Sequence, residues 1–145
     1  MLLAAFVIFI ALAVGSSLTN RPQVDEGLFA SPALNLSRDG FFGTTILETE
    51  KTHLTRIEQR TYWVMPLFLL NAAAVVKVFG FSIFTMRLTS ILAGVLLIVS
   101  VWFIARKLSN DKFVSGLSLF LIAFDYLTLD TASQARPDIL CAALG

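Results

Sequence analysis

Residues 87–106 read RLTSILAGVLLIVSVWFIAR, and this stretch decides how the rest of the chain is interpreted. No charge interrupts Leu88 to Ala105, and a helix needs about 20 predominantly apolar residues to cross roughly 30 Å of hydrocarbon. Arg87 and Arg106 close the segment at either end, where cations belong on a spanning helix. The whole composition agrees: 57% of the 145 residues are hydrophobic and 14% charged, whereas soluble domains average about 25% charged residues. Mean hydropathy is +0.80. These values exclude disorder, collagen and coiled coil, and they predict an all-α, polytopic transmembrane protein.

Outward from that segment, the uncharged gaps outline the other membrane helices. Met1 to Asn20 carries no charge and predicts a first span over about residues 2–18. Its rival is a signal peptide cut after Ala13-Val14-Gly15, but the positively charged n-region is missing. Tyr62 to Phe81 is broken by Pro66 and Lys77 and reads as an interfacial or re-entrant helix over 62–81. A further span is expected over 113–129, containing Asp125, and the start of another over 139–145. The chain thus reads as the N-terminal part of a longer protein, one transmembrane domain with an outer loop over 19–61.

Lysine and arginine in short loops mark the cytoplasmic side. The turn from Arg106 to Lys112 carries three positive charges against one negative, so it is expected inside. The outer loop and the segment Thr131 to Asp138 then share the non-cytoplasmic face. The loop holds six acids (Asp25, Glu26, Asp39, Glu48, Glu50, Glu58) and five bases (Arg21, Arg38, Lys51, Arg56, Arg60). It predicts a short helix from Asp25 or Ser31 to about Ser37, with Ser31 as cap, Pro32 in the first helical position and Asp39-Gly40 as the stop.

Net charge is +1, and no basic patch is interleaved with aromatics, so a nucleic-acid partner has no electrostatic basis. The single cysteine, Cys141, excludes an internal disulfide or a cysteine-based metal site. His53 is alone in a polar loop. Asn35-Leu36-Ser37 fits the glycosylation tripeptide, a pattern that arises often by chance. Tyr62-Trp63 fits an interfacial aromatic belt better than sugar stacking.

The pair Asp25-Glu26 follows the first span by a few residues. Adjacent carboxylates near lipid repel one another and lose solvation, which suits one of them to act as general base; the competing reading is a solvated pair favoured by the dipole of a helix start. Arg136, in Arg136-Pro137-Asp138, stands where it could clamp a phosphate bidentately, or anchor and cap a helix at the interface. Arg87 has the same two readings. Asp125 falls about two thirds of the way across its span at 1.5 Å per residue, and a carboxylate at that depth must face protein or water.

Taken in order, these features resemble the membrane glycosyltransferases of family 39 in the GT-C superfamily, which includes protein O-mannosyltransferases and the lipid A aminoarabinose transferases. The resemblance rests on Asp25-Glu26-Gly27-Leu28-Phe29-Ala30 with Ala33, Asn35-Leu36 and Gly40. It continues through Tyr62-Trp63, Pro66-Leu67, Lys77-Val78-Phe79-Gly80, Phe84, Arg87-Leu88, Ile104-Ala105-Arg106-Lys107-Leu108 and Ala135-Arg136-Pro137-Asp138-Ile139-Leu140. It implies transfer of a sugar from a polyprenyl-phosphate-linked donor to a lipid, glycan or protein acceptor on the non-cytoplasmic side, with inversion.

Under the resemblance Asp25 is the base, and Glu26 orients the acceptor or helps hold a divalent metal if one is used. Arg136 and Arg87, with Asp138 and Asp125 nearby, form the lipid-phosphate or substrate site. The protein is expected in the cell inner membrane if bacterial, and this chain alone is expected to be inactive. Two departures stand out: Pro32 is expected to interrupt the helix after the acidic pair, and the Glu-Lys-Pro signature of the aminoarabinose transferases is absent near Arg60 to Pro66, leaving Arg56 or Arg60 as substitutes. The alternative is a transporter or non-enzymatic subunit with Asp125 and Arg136 on a polar path.

Overall fold

The computed structural model describes residues 2–47, 53–62 and 64–145. Among them are seven helices: α1 (Leu2–Thr19), α2 (Val24–Asp39), α3 (Pro66–Phe79), α4 (Ile83–Ser109), α5 (Lys112–Ala123), α6 (Tyr126–Ala132) and α7 (Asp138–Leu144). The one β interaction among the described residues is an isolated bridge between Phe42 and Arg60. The described residues form an all-helical fold. One helix, α4, is long and apolar enough to cross a membrane alone; the number rises to three if the bent pairs α1–α2 (98°) and α5–α6 (59°) each count as one span.

Helix α4 is longer than the uncharged run that foretold it. Ser82 caps its start by accepting a 3.0 Å hydrogen bond from the Thr85 amide, and Asn110, in the left-handed region at φ 52°, ends it. Its buried side chains run from Thr85 to Ile98, while Phe103, Ile104 and Leu108 farther along are exposed. The core thus encloses the first part of α4, and farther along the helix the outer side chains are exposed while α5 folds back against it.

Against that first part lies α1. Ala5, Phe9, Ala13 and Ser17 are all buried, four residues apart, which puts them in one stripe along the helix. The Phe9 ring lies directly over Gly94, where an added Cβ would stand 2.7 Å from the ring and 3.2 Å from the Ala132 methyl. Small residues let helix backbones approach closely in membranes, and here Gly94 brings α1, α4 and α6 together.

A second apolar cluster is built largely of alanine: Ala30 and Ala33 on α2, Ala72 and Ala73 on α3, and Ala135 in the turn before α7, joined by Val76 and Met86. Helix α3 begins with Pro66 at its first turn and ends at Gly80. Its 14 residues extend only about 21 Å at 1.5 Å per residue, short of the hydrocarbon thickness.

Three local expectations are corrected. Of the two starts expected for α2 the structure takes the earlier one, within a residue of Asp25, and not Ser31, because Glu26 reaches back to accept the Gln23 amide at 3.0 Å and so closes the first turn. Pro32 is buried inside α2 and does not interrupt it, and Ser31 turns inward to accept from the Thr44 hydroxyl at 3.0 Å. The apolar run 113–129 is not one rod: it breaks at Asp125, whose carboxylate caps α6 by accepting from the Thr128 amide and hydroxyl at 2.8 and 2.9 Å. The stop at Asp39-Gly40 is where it was expected, with Gly40 at φ 73°.

The part of the loop between α2 and α3 that is described folds back on itself. Thr44 and Thr61 donate their amides to the carbonyls of Ile57 and Phe42. Gly43 is required there, since a Cβ would meet the Glu58 carbonyl oxygen at 2.1 Å. The Asn35 amide donates to the Gly43 carbonyl at 2.8 Å, so this asparagine is engaged in the fold. Glu48, Glu50, Lys51 and Trp63 lie outside the described residues.

Candidate active site

The sharp bend between α1 and α2 and the turn 133–137 meet over the first turns of α4. Three sets of contacts hold them. Asn20 donates to the Ser133 hydroxyl at 3.3 Å. Ser90 on α4 exchanges hydrogen bonds of 3.2 Å with the backbone carbonyl and amide of Arg136. Glu26 accepts from the Ala135 amide at 2.8 Å. As a result Asp25 and Arg136, 111 positions apart in the chain, approach to 3.7 Å.

Arg136 stands between two carboxylates, since its Nε also donates to Asp138 at 2.9 Å. Side-chain exposures of 36% for Arg136, 49% for Asp25 and 50% for Asp138 leave all three open to a ligand. Arg136 and Asp138 also line a cavity of about 400 Å³. Its other polar walls are Thr128, Asp130 and Thr131, and its apolar walls are Leu97, Leu127, Ile139 and Ala142. A lining that mixes charged and apolar side chains suits an amphiphilic ligand, with Arg136 the one cation among the described residues that line it.

Glu26 and Arg87 are placed differently from the expectation that they meet substrate. Both are buried, at 0% and 1% exposure. Arg87 donates from Nε to Glu26 Oε1 and from one terminal nitrogen to Oε2, each at 2.7 Å. Its remaining N–H groups go to the carbonyls of Ser17, Asn20 at 3.0 Å and Arg21 at 3.3 Å. All five guanidinium donors and the four lone-pair sites of the carboxylate are thereby used. Burial works against the charged form of Glu26, but the hydrogen bonds from Arg87, Ala135 and Gln23 outweigh it and hold the carboxyl below its ordinary value.

Neither residue has a free atom for a phosphate, an acceptor or a metal. Among the described residues no three His, Cys, Asp or Glu side chains gather around one point. Asp125 caps α6 at the far end from Ser133, a helix length of about 11 Å away, and does not line the cavity. Arg56 and Arg60 are exposed on the loop that bonds to Phe42 and Thr44, and His53 is exposed.

Two participants escaped the sequence reading. One is Asp130, which lines the cavity and accepts from the Gln134 amide group at 2.8 Å; an acid four residues before a glutamine in a helical run was the available signal. The other is the Ala135 amide, which no side-chain pattern announces.

The family model for dolichyl-phosphate-mannose-protein mannosyltransferases matches residues 64–144, more than half of the chain. The chain belongs to this family. Neither the curated proteins nor the solved structures give a significant match. Membership makes the protein a membrane glycosyltransferase of the GT-C type. The matched region contains Arg87, Asp130, Arg136 and Asp138 but not Asp25 or Glu26, which join the mannosyltransferase-like region only through the contacts just described.

Proposed function

We propose that the protein transfers a sugar from a polyprenyl-phosphate-linked donor to an acceptor hydroxyl on the non-cytoplasmic face, with Asp25 as general base and Arg136 as the ligand of the leaving phosphate. The observation that carries this reading is the 3.7 Å approach of Asp25 to Arg136, which itself lines a cavity with apolar walls. The lipid phosphate replaces the carboxylates on Arg136, and the first isoprene units lie along Leu97, Leu127, Ile139 and Ala142. Asp138 and Asp130 are placed to accept hydrogen bonds from sugar hydroxyls.

The acceptor oxygen attacks C1 from the face opposite the phosphate. Its proton passes to the Asp25 carboxylate, the C1–O bond to phosphate breaks, and the lipid phosphate leaves with the bonding pair, neutralised by Arg136. Inverting chemistry needs the base and the leaving group on opposite sides of the sugar; in inverting glycoside hydrolases the two carboxyls stand roughly 6.5–9.5 Å apart for the same reason. Arg136 therefore turns from Asp25 to the phosphate when the donor binds, and that exchange frees the carboxylate to act as base. Positioning and charge neutralisation supply most of the rate.

The test is sugar transfer from polyprenyl-phosphate mannose by the full-length protein. Asp25→Asn is expected to lower kcat about 10²–10⁴-fold, the range a general base contributes. Arg136→Ala is expected to weaken donor binding and slow transfer together. Transfer by Asp25→Asn at the wild-type rate would remove Asp25 as the base.

A further inference from the structure

Glu26 and Arg87 touch neither the cavity nor solvent, yet they contact the backbone on both sides of the site. Arg87 grips the Ser17 carbonyl in the last turn of α1 and the Asn20 and Arg21 carbonyls of the bend. Glu26 accepts from Gln23 before α2 and from Ala135 before α7. Each connection lies beside a site residue: Asp25 immediately precedes Glu26, and Arg136 immediately follows Ala135. The Arg87 bonds to the last carbonyls of α1 and the bend serve helix cohesion, but the bond from Ala135 to Glu26 joins a different segment, and cohesion of α1 and α2 does not call for it. An apolar pair in place of Glu26 and Arg87 has no directed acceptor for the Ala135 amide.

We propose that Glu26 is a positioning residue, locked in one orientation by Arg87, whose Oε1 sets the separation of Asp25 and Arg136 through the Ala135 N–H. The inference rests on the reading of Asp25 and Arg136 as base and phosphate ligand. The Ser90 bonds to Arg136 remain when Glu26 is removed, so the expected effect is a loosened separation with the site still assembled.

The experiment uses full-length protein carrying Cys141→Ser, with spin labels on cysteines placed at the exposed positions Val24 and Leu144, neither of which lines the cavity. The main variant is Glu26→Leu with Arg87→Met. It is expected to fold, to widen the label-to-label distance distribution about twofold, and to lower kcat roughly tenfold or more, while KM for the donor changes by less than about threefold. Arg87→Lys, which keeps a charge but loses the planar fork, is expected to fall between this variant and the wild type in both readouts.

Wild-type width and kcat in the folded double variant would make the pair a purely structural contact and overturn the proposal. Where the double variant does not fold, Arg87→Lys decides: reduced stability with unchanged width and kcat overturns the positioning role, and a widened distribution with lowered kcat supports it. The distance readout also separates this inference from the catalytic assignment. If Asp25→Asn transfers sugar normally while the distances widen as expected, the base is wrong and the positioning stands.

Discussion

At the scale of single residues, position two in an acidic pair has a different fate from position one. Asp25 is half-exposed beside Arg136, whereas Glu26, its neighbour, is buried against Arg87. A helix turns about 100° per residue, so adjacent side chains cannot face the same surroundings. The cost of removing one partner follows from burial. Arg87→Ala leaves a carboxylate in the core without its counter-ion and is expected to destabilise the fold by about 3–5 kcal/mol, read as a lowered thermal midpoint in detergent. The pH response has a definite sign. The folded Glu26 carboxyl lies below the ordinary value of 4.5, so the unfolded chain takes up the proton first and folding loses ground as pH falls below about 4.5. Melting across that range should show the loss in wild type and not in the Glu26→Leu, Arg87→Met pair; an equal acid sensitivity in both would assign it to other groups.

At the scale of elements, close approach is the organising constraint. Helices α1, α4 and α6 meet where Phe9 covers Gly94. Gly94→Ala is expected to cost about 1–3 kcal/mol, because a methyl there forces the ring or the helix to move. Phe9→Leu in the same chain should recover part of the loss, and thermal melting of the two single variants and the double variant measures that coupling; strict additivity would mean the ring does not fill the space above the glycine. Helix α2 shows why some element boundaries were legible and others not. Asp39-Gly40 ended the helix as its turn chemistry indicated. The sequence leaves its start between Asp25 and Ser31 because Ser31-Pro32 resembles a cap, while the actual closure comes from Glu26 reaching back to the Gln23 amide, beside Asp25. Likewise the break at Asp125 reads in the sequence as a buried carboxylate within a span, and in three dimensions as the cap of a new helix.

For the molecule as a whole, the α1–α2 bend and the turn 133–137 meet over the first turns of α4, which places Asp25 beside Arg136 and the cavity that Arg136 lines. We expect that end of α4 to be non-cytoplasmic, since Arg106, Lys107 and Lys112 gather at its other end. A cysteine at Ser109 should stay unlabelled by an impermeant thiol reagent in intact cells and react once the membrane is opened; labelling in intact cells would reverse the side assignment.

Membrane class, the central span Leu88 to Ala105 and the family were legible in the sequence by itself, because they depend on composition and on ordered local patterns that every residue carries with it. So was the candidacy of Asp25 and Arg136, as charges flanking apolar runs. Which charges remain available was decided only by the tertiary structure. Burial turns Glu26 and Arg87 inward and satisfies every polar atom they have, and the turn that brings Arg136 to 3.7 Å from Asp25 is joined to Glu26 by a backbone amide. Hydrogen bonds between segments more than a hundred residues apart leave no trace in local patterning, since any residue but proline supplies the same N–H.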